Sequence, residues 1–190
     1  MTTAIAPNAI AAWQIDPAHT EVEFSVRHLM ISNVKGRFGN VTGSVDFDPE
    51  NPGAFALDVS IPVATIDTRL EQRDAHLRSA DFFDAEHYPA MTFRGRSVIG
   101  DASGDFKLAG DLTIRGVTRP ITLDVTTEGH GNDPWGNERV GYSAAGKLDR
   151  KDFGLTWNQL LETGGVAVGD TVKIAINVEV MRPLTSPAQT

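Results

Sequence analysis

An all-β fold is predicted for this chain of 190 residues, an antiparallel sheet or closed barrel of about eight strands carrying one short helical insertion. Three observations predict it. Apolar and polar residues alternate with a period of two over long runs, which is the pattern of a strand wet on one side only. Those runs recur along the chain between turns rich in Gly, Pro, Asn and Asp. Helical periodicity occurs in one place only, so the strand–helix–strand rhythm of a parallel sheet is missing.

Trp13 to Asp16 reads as a short strand that Pro17 and Ala18 turn into the longest clean alternation. From Thr20 to His28, Val22, Phe24, Val26 and His28 share one face, and Glu21, Glu23, Ser25 and Arg27 the other. Nine residues at about 3.3 Å each make a wall about 30 Å tall. Val34, Gly36 and Phe38 continue the apolar phase, followed by Val45 and Phe47, and the DPENPG stretch after them is a turn by composition. Phe55, Leu57, Val59 and Ile61 form the next half-buried strand, which Pro62 loosens.

The period changes at Thr68. Thr68 with Glu71 three residues on matches a capping box, predicting a helix from Arg69 to Arg78, and Asp81 is placed to cap a second helical turn that Pro89 closes. Strands resume over Ala90–Ile99, with Met91 and Phe93 on one face, and over Asp105–Ile114, which carries Leu112 and Ile114. Gly116 and Pro120 punctuate the way to a strand bearing Ile121, Leu123 and Val125. GHGNDPWGNE is predicted as a loop, Val140, Tyr142 and Ala144 as the next strand, and Val172, Ile174, Ile176, Val178 and Val180 as the last. Residues 13–182 are therefore one domain, with flexible ends at 1–12 and 183–190.

Composition narrows the function. A formal charge of −8 and a pI near 5.0 argue against a nucleic-acid partner, which needs a cationic face to release counterions. The absence of cysteine excludes disulfides, thiolate chemistry and cysteine-bound zinc. No stretch approaches the ~20 apolar residues of a membrane span. The opening residues lack a basic, apolar leader pattern, so a cytoplasmic location is expected.

Catalytic motifs are sparse. Neither GxSxG nor SxxK occurs, and the glycines of GDLTIRGVTRP fit no phosphate-binding loop. Asp74, His76 and His87 could serve a small hydrolase or metal-dependent enzyme, but HExxH is missing; surface or hinge residues ordering the insertion are the plainer reading. What recurs is one apolar face per strand. Core packing explains such a face in any barrel, including a filled one that binds another protein. A hollow barrel would instead have it lining a ligand cavity. The cavity candidates are Phe24, Val26, Phe38, Phe47, Leu57, Val59, Phe93, Leu112, Ile114, Leu123, Val125, Ile174 and Ile176. His28, Arg150 and Trp157 are candidates for the rim, Arg150 because a guanidinium can hold a phosphate or carbonyl.

Four stretches carry a resemblance: DPAHTEVEFSVRHL, DTRLEQRDAHLRSADFFDAEHYPAMTF, GDLTIRGVTRPITL and DPWGNERVGYSAAGKLDRKDFGLTW. In this order and spacing the chain resembles the YceI-like family of bacterial lipid-binding proteins from about Trp13 to Val180. The resemblance implies an extended lipocalin-like barrel, often a homodimer, holding a long apolar ligand such as a polyisoprenoid, an isoprenoid quinone or a fatty-acid derivative. It implies no catalytic motif and no cofactor beyond that lipid. Many members are periplasmic.

Overall fold

A computed structural model describes residues 12–46, 55–161 and 165–184. Phe47, the DPENPG turn and most of both expected flexible ends lie outside the described residues. Ten strand segments form one antiparallel sheet: β1 (Trp13–Ile15), β2 (Glu21–His28), β3 (Ser32–Phe38), β4 (Thr42–Asp46), β5 (Ala56–Pro62), β6 (Ala90–Gly100), β7 (Asp105–Ile114), β8 (Val117–Asn132), β9 (Asn137–Asp149) and β10 (Val168–Pro183). β1 and β2 both pair antiparallel with β10, and β4 and β3 in turn pair antiparallel with β1 and β2. Each of these two couples is one strand with an interruption, so the closed wall has eight staves.

The interruptions have local causes. Between β1 and β2, the Asp16 carboxylate accepts from the Ala18 amide at 2.9 Å and fixes a 3₁₀ turn over Pro17–His19. Between β3 and β4, Asn40 has a positive φ of 53° and Val41 turns into the core, where it is 1% exposed. β10 is long enough, at 16 residues, to pair with β2 along its first part and with β1 near its end. Closure removes the free edges that an open sheet would present.

Two sequence expectations need correction here. The predicted GHGNDPWGNE loop is mostly strand: β8 and β9 stay paired to Asn132 and Glu138, leaving a tight turn. Asp133 makes that turn, its Oδ1 accepting from the amides of Trp135 and Asn137 at 2.9 Å each. A bulge between Thr127 and Gly129 absorbs the glycines that suggested a loop.

The helix α1 spans Glu71–Arg78 without the expected capping box. Thr68 binds Asp74 instead: its amide donates to Asp74 Oδ1 at 2.9 Å and its hydroxyl donates to the same oxygen. Arg73 closes the knot by donating to the Thr68 hydroxyl and carbonyl at 2.7 Å each. Arg69 takes a positive φ of 64°, which delays the helix start. Asp81 caps no second helix; residues after Ser79 form turns, and the Asp81 carboxylate pairs with His76 Nε2 at 2.9 Å.

Candidate functional site

Inward-facing positions of all ten strand segments, with residues from the insertion between β5 and β6, enclose an elongated cavity of about 570 Å³. Its walls are nearly all apolar. Solvent exposure separates a hollow barrel from a filled one. Val22, Phe24, Val26, Leu57, Val59, Val172, Ile174 and Ile176 point inward yet are only half-buried, because the space they face is open. In a close-packed interior such residues would lose nearly all their accessible surface.

Register gives the cavity its length. Phe106 lies near the start of β7 and Ile114 at its end, and both line the space. Eight residues of strand cover about 26 Å, so about 570 Å³ corresponds to a mean cross-section of about 22 Å². That is a passage for one extended chain. Backbone glycines help to clear it. A Cβ on Gly36 would stand 2.4 Å from the Phe24 ring, and one on Gly110 would stand 2.4 Å from the Phe93 ring, so both rings lie flat against bare backbone.

One end is closed by aromatic rings. Phe24 and Phe38 have centroids 5.6 Å apart, and Phe83 meets Phe38 edge-on at 5.7 Å. Phe82 is buried beneath Trp157, 5.2 Å away, and Trp157 also meets His76 edge-on at 4.8 Å. The far end is bounded by Ala102 and Ser103 in the β6–β7 turn, with Phe106 and Tyr142 below them.

The geometry gathers most of the predicted residues on this space. Phe24, Val26, Phe38, Leu57, Val59, Phe93, Leu112, Ile114, Leu123, Val125, Ile174 and Ile176 all line it. Phe47 lies outside the described residues. His28 does not line the cavity; it ends β2, paired with Ser32 and Val168. Trp157 also stays outside, packed over Phe82 and His76.

Arg150 does border the cavity, but its guanidinium is already engaged. It donates to the carbonyls of Gly169 at 2.9 Å, Trp157 at 2.9 Å and Leu155, with Val168 and Asp170 at 3.4 Å. Arg150 is 3% exposed, and burial lowers its pKa while Asp170 and Asp149 oppose that shift. Its chemistry is that of a clamp joining the 155–157 segment to β10, with little left for a head group.

Sequence reasoning missed Leu77, Phe82 and Phe83, which reach the cavity from the insertion. No periodicity marks them, because they sit in a short helix and its following turns. It also missed Phe106, Tyr142 and Ala144, although Phe106 shares the phase of Leu112 and Tyr142 that of Ala144.

The residues of the enzyme alternative have other partners. Asp74 is buried on Thr68, His76 pairs with Asp81, and His87 Nδ1 lies 2.9 Å from Asp84. Among the described residues, the one grouping of metal-ligand type is Asp16, His19 and Glu179. Arg139 already occupies it, 2.7 Å from Asp16 and bonded to Glu179.

Comparison with known proteins places this geometry. The profile of the YceI-like domain matches residues 13–180. The chain belongs to the YceI-like family. The YceI protein of Escherichia coli is 42% identical over 153 residues, covering 79% of this chain and 80% of that protein. The crystal structure of the Campylobacter jejuni YceI protein superposes with a TM-score of 0.65 at 37% identity, covering 84% of this chain and 90% of that one. A polyisoprenoid-binding domain from Saccharophagus degradans, implicated in plant cell wall breakdown, shares the fold with a TM-score of 0.67 at 17% identity, over 91% of this chain and 99% of that one. The YceI-like barrel is thus common to sequences that have diverged widely.

Proposed function

We propose that this YceI-like barrel binds one long-chain apolar molecule in its interior and holds it away from water, as a carrier or store and not as a catalyst. The shape and lining of the cavity carry the reading: about 570 Å³ drawn out along the strands, with apolar side chains on every stave. A polyisoprenoid, an isoprenoid quinone or a fatty-acid derivative has that shape. The polyisoprenoid-binding character of the Saccharophagus degradans domain supports the first of these.

Burial supplies the affinity. Each CH₂ taken from water contributes about 0.8 kcal/mol, so three isoprene units, fifteen carbons, contribute about 12 kcal/mol before the chain is ordered. Association and ordering remove a large part of this gain. Chain length discriminates weakly by itself, because one methylene more or less changes little. Selectivity therefore rests on where the passage ends and on its few polar groups.

The test is titration of delipidated protein with a fluorescent polyene fatty chain, followed by displacement with long-chain prenols. One site per chain, emptied by prenols and blocked by Ala144→Trp, is the expected result. Absence of saturable binding, or binding that Ala144→Trp leaves intact, would overturn the proposal.

A further inference from the structure

Five polar side chains border the cavity among the described residues: Thr20, Glu23, Ser103, Arg150 and Tyr142. Four of them are otherwise committed. The Thr20 hydroxyl accepts from the Glu179 amide at 3.4 Å, and Glu23 belongs to the outward, exposed phase of β2. Ser103 donates to Asp101 at 2.7 Å, and Arg150 is spent on backbone carbonyls. Tyr142 differs. Its ring lies edge-on to Phe106 at a centroid distance of 6.1 Å, and its side chain lines the cavity while only half-buried.

An apolar chain filling the cavity would strip water from this phenol, a cost that a ligand oxygen bonded to the hydroxyl removes. Resting on the carrier reading, we infer that Tyr142 is the polar selector of the cavity, pairing with a neutral carbonyl, ester or hydroxyl oxygen of a long-chain ligand whose tail runs toward the aromatic closure at Phe24 and Phe82. Register supports the placement. Tyr142 pairs with Val178 on β10 and Thr127 on β8, near the end of the cavity opposite α1. At that end Thr127 donates to the Ala102 carbonyl at 2.9 Å, which holds the β6–β7 turn over the cavity.

The surroundings select a neutral oxygen over an anionic one. Asp101 and Asp105 flank the turn at this end, and Arg150, the guanidinium bordering the cavity, belongs to the opposite end. Lys107 is exposed and paired with Asp124, and Arg182, 4.4 Å over the Trp13 ring, pairs with Glu138. Arg139 is held by Asp16, Asp133 and Glu179. An anion beside Tyr142 would therefore find no unpaired guanidinium or ammonium group at this end among the described residues. Burial also raises the phenol's pKa, so it stays protonated and able to donate.

Tyr142→Phe removes the hydroxyl and keeps the ring, so the barrel should fold and melt like the wild type. The probes are a C20 methyl ketone and the C20 hydrocarbon, each displacing the fluorescent polyene from delipidated protein. Wild-type protein is expected to prefer the ketone by about three- to tenfold, the span of one net hydrogen bond. Tyr142→Phe should abolish that preference while changing hydrocarbon affinity by less than about twofold. If the variant keeps the preference, or if the wild type binds both probes equally, the role of Tyr142 is overturned and the carrier reading stands. If the wild type binds neither probe, both fall.

Discussion

Ala144→Leu turns the hollow interior into a question of sign. Ala144 sits midway along β9, paired with Val125 on β8 and Ile176 on β10, and its methyl group faces the cavity. Leucine adds three carbons. If they enter open apolar space, each contributes up to about 0.8 kcal/mol, for an upper limit of about 2.4 kcal/mol. Incomplete contact with the far wall reduces the gain to about 1–2 kcal/mol. For a chain of this size that raises the melting temperature of delipidated protein by about 2–8 °C. In a close-packed interior the same carbons would force off-rotamer side chains and cost about 1–3 kcal/mol. Urea unfolding of delipidated wild type and variant measures the difference, with an unchanged slope showing that the fold is the same. Destabilisation of 1 kcal/mol or more would refute the reasoning that the barrel is vacant.

Three further variants test the scaffold. Arg139 joins Asp16, Asp133 and Glu179, and Arg139→Met should lower the urea midpoint because three carboxylates lose the cation they share. Burial pushes the Asp16 carboxyl up, but hydrogen bonds from Arg139, His19 and the Ala18 amide overcome this and hold it at about 2, against an ordinary 3.8. A depressed folded pKa stabilises the protein above the unfolded value, and that share is lost as pH falls through about 2. Acid unfolding followed by circular dichroism should therefore begin at higher pH in Arg139→Met than in the wild type. Arg150→Leu should cost about 3 kcal/mol or more by leaving buried carbonyls unpaired, yet leave ligand selectivity unchanged in displacement assays. Leu29 and Met30 adopt positive φ of 50° and 59° in the β2–β3 turn, so Leu29→Asn with Met30→Gly should raise the urea midpoint by the equivalent of about 1–2 kcal/mol.

The wall of this barrel was readable because a strand that faces water on one side writes its orientation into every second residue. Phe24, Leu57, Phe93, Leu123 and Ile174 could be assigned inward from phase alone. Hydrogen-bond competition was harder to read. Thr68 had two acceptors within reach, and Asp74, one turn further on than Glu71, bound it in place of a capping box. Glycine misled at Gly129 and Gly131, where a bulge lets β8 continue through residues whose composition suggests a loop.

The ends of the cavity were the least legible part of the site. Phe82 and Phe83 reach it from turns with no period, and Arg150 looked available for a ligand because sequence does not show that several carbonyls claim it. Whether inward side chains meet one another or leave a passage depends on barrel width. That in turn depends on how the interrupted β1–β2 and β3–β4 strands close the ring, a long-range property that local alternation does not encode.

The most direct measurement is native mass spectrometry of protein purified without detergent, followed by organic extraction and identification of what is released. One long-chain lipid per barrel, regained after delipidation when the chain is offered again, is the expected outcome. A barrel that emerges empty from repeated preparations and takes up no prenol, quinone or fatty chain would contradict the claim that its interior is a binding site.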